Sequence, residues 1–157
     1  MDETNEEQGT KVQVYVYDIS HGLARVYSRA IVGIDMDAIY HTSVVMGGKE
    51  YYFDREGATI SQAGKTRFGV PMEVLELGET FIPGEILGEY LDDLKQNRFK
   101  FGSYNLFHNN CNHFTHELLQ FLNGTELEKR ILHLPEQVLS SPNGALIQQM
   151  FNGGIMM

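Results

Sequence analysis

The chain has 157 residues, 42 % of them hydrophobic and 21 % charged, the size and make-up of one globular domain, which excludes a fibrous or wholly disordered polypeptide. Twelve basic against 21 acidic residues leave a formal charge of −9, which excludes a general affinity for nucleic-acid phosphates. A single cysteine allows no intrachain disulfide, and no apolar run approaches the roughly 18 residues of a membrane-spanning helix.

Residues 1–10 are acidic and poor in apolar side chains, so a disordered tail is expected there. An acidic start is also the wrong opening for a secretory signal, and the expected compartment is a reducing one, cytoplasm or nucleus. From Val12 the valines Val12, Val14 and Val16 alternate with Gln13, Tyr15 and Tyr17, the period of a β-strand. Ser20 is placed to cap a short helix with Leu23, Val26, Tyr27 and Ala30 on its apolar face and Gly33 as its stop. Ile39 to Met46 and Tyr51 to Phe53 read as two strands of a hairpin turned by Gly47-Gly48, because glycine adopts positive φ without penalty.

Ser61 to Pro71 reads as a loop, and Met72 to Leu77 as a strand closed by Gly78. After Pro83, Ile86, Leu87, Tyr90, Leu91 and Leu94 mark one helical face. A second helix is expected from Asn110 or Cys111 to Leu122, stopped at Asn123-Gly124, with short helices after Pro135 and Pro142. Strands and helices are mixed without strict βαβ alternation, so the fold class is α+β: one domain over residues 11–151, with a frayed tail at 152–157.

Chemistry concentrates in Tyr104-Asn105-Leu106-Phe107-His108-Asn109-Asn110-Cys111-Asn112-His113-Phe114, where the only cysteine opens an amphipathic helix. Unpaired N–H groups and the positive end of the helix dipole favour thiolate over thiol, and the same groups can receive an oxyanion. Asn110 and Asn112 are the candidates for capping and for that oxyanion site. A nucleophile needs a base, and six histidines compete; His41 lies in a strand that fixes its direction, but geometry alone does not select it. A buried inert cysteine is an equal reading on these grounds. A metal site at His108, Cys111, His113 and His116 is disfavoured, because residues 111 and 113 of a helix point about 200° apart; no metal or cofactor is expected.

The segments Tyr40-His41-Thr42-Ser43-Val44-Val45 and Tyr104 to Phe114, with Val14 to Ser20, Gly22-Leu23-Ala24-Arg25, Leu77-Gly78 and Leu134-Pro135, resemble the PPPDE-type desumoylating isopeptidases. The resemblance covers roughly Val12 to Phe151, and differs in carrying Tyr40 where tryptophan is expected before the histidine. It implies a circularly permuted papain-like fold, with a small antiparallel sheet or barrel packed with helices. It also implies a Cys–His dyad of Cys111 as nucleophile and His41 as base and acid. The substrate class implied is a ubiquitin-like modifier, SUMO above all, joined to lysine, and the implied assembly is a homodimer. Two alternatives stand beside it: a protein S-acyl thioesterase using the same dyad, and a modifier-binding module without turnover.

Overall fold

The computed structural model describes residues 8–152; of the tails expected at 1–10 and 152–157, residues 1–7 and 153–157 lie outside the described residues, while Thr10 already belongs to the first strand and Asn152 to the last helix. Strand β1 (Thr10–Asp18) leads into helix α1 (Leu23–Ile31), then β2 (Tyr40–Met46), β3 (Lys49–Asp54), β4 (Gly57–Gln62) and β5 (Glu73–Thr80). The helices α2 (Gly84–Gln96), α3 (Cys111–Asn123), α4 (Lys129–Leu132), α5 (Leu134–Leu139) and α6 (Gly144–Asn152) follow. The strands form one antiparallel sheet in the order β4-β3-β2-β1-β5. It keeps two edges, so the architecture is an open sheet packed with helices and not a barrel, consistent with a small papain-like fold.

Alternation along β1 and β2 builds the core. Val12, Val14, Val16, Tyr40, Val44 and Met46 join Phe114, Leu118, Leu119 and Leu122 of α3 in one cluster. Phe99 stands between Phe53 and Phe114, with ring centroids 4.9 and 5.2 Å away. The C-terminal end of α3 is tied to β5: Asn123 donates to the carbonyls of Leu77 and Glu79, and Thr80 donates to that of Leu122. Gly124, with φ 75°, then ends the helix in the left-handed conformation that glycine takes at least cost.

Three expectations are corrected. β4 was not foreseen: Gly57 to Gln62 pairs with β3 from Asp54 back to Lys49, so the loop begins only after Gln62. β5 runs through Gly78 to Thr80 where a stop was expected. Helix α1 does not bury its apolar stripe. Ser20 does accept from the N–H of Ala24 at 3.0 Å, but Ala24 and Ser28 are the buried positions, while Leu23, Val26 and Tyr27 are more than half exposed. Its amphipathic face borders a cavity instead of the core.

Candidate active site

Cys111 is the first residue of α3, and the helix start is fully capped. The Asn110 side chain accepts from the N–H groups of Asn112 and His113 at 2.9 and 3.2 Å, while the N–H of Asn110 donates to His113 Nδ1 at 3.0 Å. The preceding loop is equally fixed. Asn105 and Asn109 exchange backbone hydrogen bonds, and Asn105 Oδ1 accepts from the N–H groups of Phe107 and His108. The asparagines of this segment therefore hold backbone. Asn110→Ala is expected to remove about 1 kcal/mol of stability, which lowers Tm by a few degrees in a thermal melt.

Asn112 has a different place from its neighbour. The ladder between β2 and β3 pairs Val44–Met46 with Lys49–Tyr51. Further along β2, side chains of α3 supply its polar partners: Asn112 Nδ2 donates to Tyr40 O at 3.1 Å and Asn112 Oδ1 accepts from the Thr42 hydroxyl at 2.7 Å. Thr115 donates to Thr42 O at 3.3 Å. The helix start is thus inserted where the two strands part, and Cys111 Sγ lies 4.0 Å from Tyr40 O.

His41 is the next residue along β2, and its ring is enclosed by aromatic groups. Phe68 is stacked on it at 3.6 Å and 19°, and Tyr17 and Tyr52 pack at 5.7 and 5.9 Å. Ser43 Oγ sits 3.4 Å from Nε2. Phe68 belongs to the loop after β4, which is pinned at several points. Gly64 N–H donates to the buried Glu50 carboxylate and Met72 N–H to Val16 O, while Arg67 makes a 2.7 Å ion pair with Asp54 and lies over the Phe68 ring.

Cys111 and His41 line one cavity of about 1130 Å³, together with Tyr104 and Asn110 and with apolar side chains of α1, α5 and α6 such as Leu23, Tyr27, Val138 and Ile147. Both residues are nearly inaccessible, at 4 % and 3 % exposure. Burial pushes the thiol up to about 11, against hydrogen bonds from the Thr42 backbone, the Tyr104 hydroxyl and the backbone N–H groups of Asn112 and Cys111. Burial, and then the charge of Arg67, push the imidazole down to about 3. The resting pair is neutral on both sides.

This state has a measurable signature. A thiol titrating near 11 gains reactivity with every unit of pH, so iodoacetamide alkylation of Cys111 should keep accelerating above pH 9 where an ordinary cysteine levels off. Phe68→Ala exposes the imidazole and restores its basicity. Alkylation at pH 7 is then expected to rise roughly tenfold, the effect of one unit of thiol pKa. An unchanged rate profile would show that the stacked ring has no hold on the pair.

Two of the remaining histidines have structural tasks. His113 accepts the capping bond, and His116 Nδ1 accepts from the N–H of Leu127 at 3.2 Å. Among the described residues no group of three or more His, Cys, Asp or Glu is arranged to hold a metal. Tyr40 fills its place under Arg130, whose guanidinium donates to the phenol oxygen at 3.3 Å and pairs with Glu73. Sequence reasoning did not assign roles to Phe68, Thr42 or Tyr104. Tyr104 was within reach, since it opens the cysteine segment; the stack of Phe68 on a strand 27 positions earlier leaves no local signal.

Residues 10–152 match the family described as "PPPDE putative peptidase domain". The chain belongs to the PPPDE peptidase family. Among curated PPPDE relatives, desumoylating isopeptidase 1 of Xenopus laevis is 41 % identical over 141 residues, covering 90 % of this chain and 83 % of that protein. Its human counterpart is 39 % identical over 141 residues, covering 90 % of this chain and 84 % of that protein. The rat protein is 40 % identical over 137 residues, covering 87 % and 82 %.

Proposed function

We propose that this PPPDE peptidase is a cysteine isopeptidase that releases a ubiquitin-like modifier, SUMO in preference, from lysine side chains, with Cys111 and His41 as its dyad. The observation that carries the reading is the single thiol, at a capped helix start, opening on the same cavity as the strand histidine. In the reaction the Cys111 sulfur bonds to the glycyl carbonyl carbon, and the carbonyl π electrons move to oxygen. The N–H of Cys111, which the Asn110 cap does not take up, is the donor at the start of α3 for that charge. His41 takes the thiol proton and gives it to the lysine nitrogen as the C–N bond breaks. Water, losing a proton to the same imidazole, then hydrolyses the thioester.

The test is a pair of electrophile-tipped modifier probes, SUMO and ubiquitin. Labelling of Cys111 by the SUMO probe, lost in His41→Ala, is the expected result. Absence of labelling by both probes would sink the isopeptidase reading. One observation favours a second reading: the cavity wall is largely apolar and the volume exceeds what a glycine tail fills. S-acyl thioester hydrolysis by the same dyad fits that shape, and a thiolate leaves without the proton an amine requires. Turnover of a long-chain acyl thioester, with no labelling by modifier probes, would move the assignment there.

A further inference from the structure

The dyad leaves open what orients its base. His41 and Ser43 are two positions apart on β2, so both side chains stand on one face of the strand. The ladder with β1 fixes that stretch of backbone, pairing His41 with Tyr17 and Ser43 with Tyr15. Both residues are buried, at 3 % and 0 % exposure. The Ser43 hydroxyl reaches His41 Nε2 at 3.4 Å. Such bonds are commonly long in an unloaded site and tighten when the ring takes up charge.

The aromatic walls cannot do what this hydroxyl does. Phe68, Tyr17 and Tyr52 hold the plane of the imidazole, but a flat slot accepts either tautomer equally. Choosing a tautomer takes a hydrogen-bonding group at one ring nitrogen. The two phenol hydroxyls are engaged elsewhere, Tyr17 with Glu50 at 2.6 Å and Tyr52 with Ser61 at 3.2 Å. Among the described residues Nδ1 has no hydrogen bond of its own, and no side-chain nitrogen or oxygen is both sealed and unpartnered. Nδ1 is therefore the nitrogen left open to the cavity that His41 lines together with Cys111.

Resting on the Cys–His reading above, we propose that Ser43 is the positioning residue of the dyad: its Oγ accepts the Nε2 hydrogen of His41 and so leaves Nδ1 a free lone pair for the Cys111 proton. When Nδ1 takes that proton the ring becomes an imidazolium, and the Ser43 bond strengthens because its donor is now charged. When the lysine nitrogen receives the proton from Nδ1, the ring returns to its starting tautomer. Ser43 neither gains nor loses a proton and touches no substrate atom. An amide or a carboxylate takes this place in other Cys–His and Ser–His sites. A hydroxyl orients the ring without adding a charge beside it.

Ser43→Ala tests this, because it removes only the hydroxyl from a strand held on both sides of it by β1. The first readout needs no substrate. In protein carrying isotope-labelled histidine, proton–nitrogen correlation spectra, with His41→Ala to assign the ring, report which nitrogen bears the proton. Wild type should show Nε2 protonated and Nδ1 bare, and Ser43→Ala should show both tautomers. The second readout is steady-state cleavage of a SUMO–fluorophore conjugate, where kcat should fall about tenfold with KM nearly unchanged, the worth of one neutral hydrogen bond. A proton on Nδ1 of wild-type His41 would overturn the proposal whatever the stability of the variant, and so would a wild-type tautomer and kcat in Ser43→Ala. A fall in kcat with the tautomer unchanged would assign Ser43 to packing and overturn its positioning role. Mixed tautomers with unchanged kcat would overturn the link to turnover. If the wild-type chain cleaves no SUMO conjugate, it is the isopeptidase reading that falls, and the spectra still decide whether Ser43 sets the ring.

Discussion

Replacing His41 by alanine is expected to reduce turnover by at least a thousandfold while leaving a folded protein, and Cys111→Ala is expected to abolish it. The reasoning starts from the resting state. A thiol held near 11 is almost wholly protonated at neutral pH, so the attacking sulfur must pass its proton to a neighbour as it attacks. His41 is the imidazole lining the same cavity, and the leaving amine must recover that proton. Alanine offers no acceptor, and the residual rate is what the donors around the sulfur supply alone. The same substitution has an acid-stability signature. The imidazole titrates near 3 in the fold and near 6.5 when unfolded, so between those values the unfolded chain binds the extra proton. Wild-type stability therefore falls as pH drops below about 6.5, and His41→Ala should flatten that part of a Tm-against-pH curve. A curve identical to wild type would mean that the imidazole is solvated in solution.

The second large effect is structural. Asn112→Ala should destabilise the fold by roughly 2–3 kcal/mol, the scale of a buried amide whose partners are left unsatisfied. Tyr40 O and the Thr42 hydroxyl both lose their partner on α3, at the place where the β2–β3 ladder has already ended. For a chain of this length the expected fall in Tm is roughly 5–10 °C. Asn112→Asp should be no better, since a carboxylate cannot donate to the Tyr40 carbonyl. A melting curve within a degree or two of wild type would show that the helix start is held by other contacts.

Much of this architecture was legible because its signals are local. The period-2 valines of β1, the Gly47-Gly48 turn and the capping asparagine before Cys111 each act within a few residues of themselves. What was hidden depends on distant partners. β4 is a six-residue strand whose half-polar pattern gains meaning only beside β3. The α1 stripe has an ordinary core-facing period, yet the surface opposite it is a cavity, so periodicity could not distinguish a packed face from a wall. At the site, residue types placed a thiol at a helix start, but choosing His41 among six histidines required the family resemblance. The Phe68 stack and the Arg67–Asp54 pair had no sequence signature at all, being a meeting of one loop with the rim of the sheet.

The open sheet has a colloidal consequence. A closed barrel has no free border, whereas this one presents β4 and β5 as possible templates for a neighbouring chain. Each is blunted in its own way. The N–H of Ala58 at the start of β4 is taken up by the carbonyl of Phe99, and β5 carries Glu76 and Glu79 on its exposed side, with a register shift against β1 between Lys11 and Gln13. The glutamates of β5, on a molecule of net charge −9, oppose pairing of that border with its own copy across molecules.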